Sequence, residues 1–183
     1  MNLTGQIIVS MPSLEDERFY KTVIYICAHS SEGSMGIIIN KKIDYDLYPD
    51  LLQQLGIDKP LNNKKLFIRY GGPVESGRGF VLHSDDMMRK ETLNIDKGVA
   101  LTSTAEFFDD LSKGKGPKNC ILALGYAGWQ PGQLEYEIMR NSWMSLSVDN
   151  SFLFDDEVSR KWSQAYKLMG IDPNSLSLES GQA

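Results

Sequence analysis

The chain has 183 residues, 42% of them hydrophobic and 23% charged, enough for one well-buried core and a default of one domain. With 24 acidic against 19 basic residues the formal charge is -5, which excludes a general pull toward nucleic acid or anionic membrane. The N-terminus, MNLTGQIIVSMP, lacks the basic start and apolar stretch of a signal peptide, and no apolar run is long enough to span a bilayer, so a cytoplasmic protein is expected.

Gly5 to Ser10 reads as a first strand stopped by Met11-Pro12, and Ser13 to Arg18 as a polar loop. Lys21 to His29 and Met35 to Asn40 are β-rich runs around turn chemistry at Ser30 to Ser34. They predict an antiparallel hairpin with a longer loop, and both are apolar enough to imply burial on two sides. Cys27 and Cys120 lie in apolar runs with no CxxC partner and read as core thiols in a reducing compartment, with a disulfide left open. Pro49, followed by Leu51, Leu52 and Leu55, predicts a short helix with Gly56 as its C-cap, and Asp58 to Lys65 a polar connector.

Strands are predicted at Leu66 to Tyr70, Arg78 to His83, Glu91 to Ile95 and Val99 to Thr102. Ser103-x-x-Glu106 spells a capping box, and Phe107, Phe108 and Leu111 continue it with helical spacing. Cys120 to Trp143 is the densest stretch. It reads as a buried strand (Ile121 to Leu124), a small-residue corner holding Trp129, a helix opened by Pro131 and running to about Asn141, then a strand to Val148. Asp155 to Met169 is an amphipathic helix stopped by Gly170. Hairpins first, then strand and helix in alternation from Val99 to Val148, predict a single mixed α+β domain with crossover units in its second half. Residues 1–171 read as that domain and 172–183 as a polar tail that frays.

P-loop, dinucleotide-fingerprint, GxSxG, HExxH and EF-hand signatures are all absent. Two histidines and no clustered thiols argue against a metal site, and no cofactor is expected. His29 and His83 each end an apolar strand. On neighbouring strands they could serve as base and acid with a carboxylate; otherwise each caps its strand. Gly71-Gly72-Pro73, with Arg78 nearby, offers backbone N–H groups and a guanidinium to an anion, or else is a tight turn. The helix opened by Pro131 offers the N–H groups of Gly132 and Gln133 to a carboxylate or phosphate, with Trp129 as a flat wall. Alternatively Gln133 caps the helix and Trp129 plugs the core. Glu135 and Glu137, two positions apart, lie on different helix faces and make no catalytic pair, and Asn141 reads as a helix C-cap. The catalytic candidates are His29 and His83. The ligand-binding candidates are Gly71, Gly72, Arg78, Trp129, Gly132, Gln133 and Glu135. The lysines are scattered, without a basic recognition helix, so no direct nucleic-acid contact is expected.

Three ordered blocks, MPSLEDERFYKTVIYICAHSSEGSMGIIINK, YGGPVESGRGFVLH and LALGYAGWQPGQLEYEIMRNSW, resemble the YqgE/AlgH family of bacterial proteins from about Gly5 to Phe154. The resemblance implies a compact α+β domain in which a partly barrel-like, bifurcated β-sheet is surrounded by helices. Members of that family are largely uncharacterised, so it carries no catalytic residue set; it implies a regulatory link to transcription, through a protein or small ligand. Gln130 stands where relatives often have glycine or another small residue. The functional expectation is a non-enzymatic cytoplasmic binding or regulatory module for a small anionic ligand or a protein partner, with no membrane role. The alternative is a hydrolase- or transferase-type enzyme using His29 or His83 as general base on a small anionic substrate.

Overall fold

A computed structural model of the chain describes residues 2–43, 50, 53 and 68–176. The helix expected around Pro49 to Leu55 and the connector to Lys65 fall outside these residues, apart from 50 and 53. Among the described residues nine strands form one sheet: β1 (Ile7–Ser10), β2 (Val23–Ser30), β3 (Gly33–Ile38), β4 (Ile68–Tyr70), β5 (Val74–Ser84), β6 (Leu93–Asp96), β7 (Val99–Thr102), β8 (Cys120–Trp129) and β9 (Trp143–Leu146). The α-helical elements whose bounds fall among the described residues are α1 (Ala105–Ser112), α2 (Gln133–Met139), α3 (Asn150–Phe154), α4 (Lys161–Leu168) and α5 (Pro173–Leu176). No helix among the described residues is long and apolar enough to cross a membrane.

The sheet runs β6-β7-β5-β8-β3-β2-β1-β9, with β4 on β8, and it forks at β8 without closing into a barrel. Leu122 to Leu124 are flanked by parallel β4 on one edge and antiparallel β5 on the other, whereas Ala127 to Trp129 pair with β3. Gly71 sits in the fork: its N–H donates to the Leu124 carbonyl, and its own carbonyl accepts from Ile38. Following strand directions across the ladder, β7 and β8 are parallel with β5 between them. β8 and β9 are parallel with three strands between them. The stretches containing α1 and α2 are therefore the crossovers that the alternating pattern implied.

β4 and β5 lie on opposite edges of β8, yet only Gly71, Gly72 and Pro73 connect them. The chain must pass directly over β8, and there is no room for side chains where it does. A Cβ on Gly71 would fall 2.2 Å from the Gly125 carbonyl oxygen, and one on Gly72 would fall 2.1 Å from the Tyr126 carbonyl carbon. This glycine pair is a backbone crossing, in line with the structural one of its two readings, the tight turn.

Three apolar clusters make the layers. Ile7, Tyr25, Ile37, Leu82 and Ala123 pack under α3 and α4 through Leu153, Trp162 and Tyr166. On the opposite face α1 covers one branch of the fork with Phe107, Phe108 and Leu111. There α2 covers the other branch, with Leu134 against Ile8, Ile24 and Ile38. Each such fully buried side chain is worth about 1.5–3 kcal/mol, and burial on both faces explains why the strands read as continuous apolar runs.

Alternation along a strand assigns side chains to faces, and two interruptions reverse it. In β2, Ile24 and Ile26 face α2 while Tyr25 and Cys27 face α4. A register shift between Ile26 and Ala28 leaves Cys27 as an extra residue and turns His29 onto the α2 face. In β8, Ile121 and Ala123 face α4, but beyond Gly125, which has φ +69, Ala127 and Trp129 face α2.

Several local expectations change. The β2–β3 hairpin closes with two residues, since Ser30 pairs with Gly33. What looked like a corner after Leu124 is the second half of one ten-residue strand. The capping box does not form: Thr104 is the N-cap of α1, and the Ser103 hydroxyl accepts from Arg78 instead. The final helix is divided into a 3-10 turn at Val158–Arg160 and α4, preceded by α3, which sequence reading missed.

Lys161 opens α4 fully buried, its ammonium donating to the Phe152 carbonyl and facing Asp155, Asp156 and Arg69. Burial pushes its pKa down from 10.5 to about 8, against the pull of the two carboxylates. Between those values the unfolded chain binds more protons than the folded one, so this group makes stability rise with pH across that window. Lys161→Met removes the effect. Urea midpoints measured on both proteins from pH 7 to 10.5 should show the difference moving steadily in favour of the wild type. A difference that stays constant with pH would count against a strained buried ammonium.

Candidate functional site

The crossover containing α2 assembles two polar clusters on its side of the sheet. Gly132 precedes the helix in the left-handed region, and Gln133 turns back so that the Gln130 N–H donates to its Oε1 at 3.0 Å. Gln133 is thus the cap that was one of its two readings. Asn141, at φ +56, follows the helix end as a left-handed cap. With seven residues, α2 offers no extended anion-binding N-terminus.

The first cluster is organised by Glu137. The indole N–H groups of Trp129 and Trp143 both donate to its Oε2, at 2.9 and 2.8 Å. The Gln133 side-chain amide donates to Oε1 at 2.8 Å. One carboxylate therefore ties α2 to the ends of β8 and β9 through charge-assisted bonds. With their N–H groups engaged, the two rings sit edge-on to each other at 6.2 Å, and Phe19 is edge-on to Trp143 at 5.6 Å. They border a partly open pocket of about 490 Å³ that is also lined by Leu14, Val74 and the exposed Gly128 backbone. Asp16 and Arg18 form its charged rim, paired at 2.6 Å. The Arg18 guanidinium holds the Asp16 carboxyl below the usual carboxylate range.

The second cluster lies along one row of the ladder, where His29 is opposite Ser34 and Ser34 is opposite Trp129. The Ser34 hydroxyl is 3.1 Å from His29 Nδ1, and His29 Nε2 is 3.3 Å from a Glu135 carboxylate oxygen. The imidazole is shielded, with 4% of its side chain exposed against 37% for Glu135. As the spacing implied, Glu135 and Glu137 look in different directions. Each nevertheless anchors a cluster.

The other candidates go elsewhere. His83 is fully buried: Nδ1–H donates to the Ser84 carbonyl at 2.8 Å, Nε2 is 2.9 Å from the Thr102 hydroxyl, and the ring packs on Phe107. Burial pushes its pKa down, favouring the neutral ring. β3 and β8 separate β2 from β5, so His29 and His83 cannot act as an acid–base pair. Arg78 is exposed, bonded to Ser103 at 2.9 Å and paired with Glu75, away from the pocket lining. Gly71 and Gly72 are committed to the crossing. Of the ligand candidates, only Trp129 and Gln133 line the pocket. Sequence reading missed Glu137, Phe19, Arg18 and Ser34. The usable signal was Gln133 and Glu137 at i,i+4 on a short helix bracketed by two tryptophans.

An α+β domain with a sheet forked at one long strand, and helices on both faces, is the class these features define. The chain belongs to the AlgH-like family, whose description matches residues 7–174. It is 49% identical over 189 residues to a UPF0301 protein of Rhodopseudomonas palustris (strain BisB18), covering 99% of this chain and 89% of that one. Over 181 residues it is 44% identical to a UPF0301 protein of Rhodospirillum rubrum, covering 99% and 94%. The solution structure of the AlgH protein from Pseudomonas aeruginosa matches with a TM-score of 0.79 at 32% identity, covering 100% of this chain and 97% of that one. A Corynebacterium diphtheriae protein, at TM-score 0.69 and 19% identity, shares the fold.

Proposed function

We propose that the chain is a binding module whose ligand is a small molecule with a flat apolar portion, seated against Trp129 and Trp143. The observation that carries this reading is the pocket itself: both indole N–H groups are engaged by Glu137, so the rings offer apolar surface at its border. Arg18 is the cation among its lining residues and is the group that would meet an anionic end of the ligand. A regulatory role in the cytoplasm would run through this ligand rather than through DNA, in keeping with the charge of -5.

Intrinsic fluorescence tests it directly, because two of the three tryptophans border the pocket. Titration with a panel of aromatic and aliphatic carboxylates and phosphates should change the emission and raise the melting temperature by mass action for at least one class. The change should persist in Trp162→Phe and vanish in Arg18→Ala. A panel that leaves both signals flat would defeat the reading.

One specific observation favours the alternative, a hydrolase-type enzyme: His29 is held between a hydroxyl and a carboxylate.

A further inference from the structure

We infer that Ser34 is a nucleophile activated by His29, and that the chain hydrolyses small activated carboxylic esters or thioesters through an acyl-Ser34 intermediate. This rests on the enzyme reading of His29 and goes beyond it by naming the nucleophile and the substrate class.

Three elements converge on the imidazole: β2 carries it, β3 brings Ser34, and α2 brings Glu135. The Glu135 carboxylate cannot donate when ionised, so the ring proton belongs on Nε2, leaving Nδ1 to accept from the Ser34 hydroxyl. Nucleophile, base and orienting carboxylate are then in the relation of a serine-hydrolase triad. The two ring nitrogens exchange places relative to the usual wiring, and the proton inventory is unchanged.

A cross-strand His–Ser pair could be no more than a ladder contact. Two features go further. Glu135 comes from a separate crossover, so ladder pairing alone does not place it there. The β-bulge at Cys27 is what brings His29 to this face at all; without the extra residue the imidazole would point toward α4. Ser34 is half-buried beside the hairpin turn, while the ring behind it is shielded.

The reaction balances within these groups. The Ser34 oxygen bonds to the ester carbonyl carbon as its proton passes to Nδ1. The carbon–oxygen (or carbon–sulfur) bond breaks and the leaving group takes that proton. Water then attacks acyl-Ser34, gives a proton to Nδ1, and Nδ1 returns it to the serine oxygen, releasing the carboxylic acid. Glu135 keeps the Nε2 proton throughout and acts as a positioning residue.

The test uses the full chain with a fluorophosphonate probe, the adduct located by peptide mass, alongside p-nitrophenyl acetate hydrolysis as a function of pH. One adduct on Ser34 is expected, absent in Ser34→Ala and slowed by about 100-fold or more in His29→Gln. Labelling and turnover should follow a pH profile in the wild type. That dependence should disappear in His29→Gln and shift in Glu135→Gln. Circular dichroism checks that each variant is folded. No adduct on Ser34 in the wild type, or one that forms equally fast in His29→Gln, overturns the proposal. Ester turnover lost in His29→Gln but kept in Ser34→Ala overturns Ser34 alone and leaves His29 acting on water. Turnover indifferent to both variants overturns the enzyme reading as well.

Discussion

Gly125→Ala is expected to destabilise the domain by about 4 kcal/mol or more, a large part of the roughly 5–15 kcal/mol that a domain of this kind possesses. Gly125 sits at φ +69, where a side chain costs about 1–2 kcal/mol. The larger cost is steric. A Cβ there would lie 2.3 Å from the Gly72 carbonyl oxygen and 2.8 Å from that of Val74. Both are backbone atoms of the segment crossing β8, so no rotamer change relieves the contact, and moving the crossing breaks the Gly71 bonds to Leu124 and Ile38. Gly72→Ala, at φ +152 with its Cβ on the Tyr126–Ala127 peptide, should behave alike. Gly77, where a Cβ meets nothing within 4 Å, is the control, and its alanine variant should stay within about 0.5 kcal/mol of the wild type. Urea denaturation of the three variants decides. Near-normal stability of Gly125→Ala would mean that the crossing is not close-packed, and would reopen Gly71-Gly72 as a ligand loop.

Glu137→Leu carries the second large effect, about 3–5 kcal/mol. It strands the indole N–H groups of Trp129 and Trp143, residues that are 7% and 3% exposed, while the exposed Gln133 amide turns to water. Each buried donor left without an acceptor costs about 1–3 kcal/mol. Glu137→Gln retains one acceptor oxygen of the same shape and should cost about half as much. Denaturation midpoints measure the loss. The emission spectrum locates it, since Trp129 and Trp143 should respond while Trp162, bonded to the Ser10 carbonyl, should not. A Glu137→Leu protein within about 1 kcal/mol of the wild type would show that the carboxylate does not hold the pocket wall.

The two clusters on α2 were only partly legible beforehand. Trp129, Gln133, His29 and Glu135 were singled out, alongside His83, Gly71, Gly72, Arg78 and Gly132. The structure divides them between a pocket organised by Glu137 and a row centred on His29. Glu137 was passed over because it was weighed only as a partner for Glu135. Its partners are two tryptophans brought together by chain reversal. Ser103 shows the same limit on a smaller scale. Its capping-box spacing with Glu106 is present, but Arg78, arriving from β5, takes the hydroxyl.

The sequence alone determined the family, the α+β class, most of the strands and the crossover character of Val99 to Val148. These rest on local properties: β-branched runs, helical spacing and turn residues. It could not determine which way His29 and Trp129 point. In VIYICAH and CILALGYAGW nearly every position is buried on one face or the other, so no polar alternation marks the register. An extra residue at Cys27 and a left-handed one at Gly125 reverse the facing without leaving a trace in the apolar pattern. Pairing with β3, β4 and β5 decided both, because only the opposite strand defines which residue is the extra one.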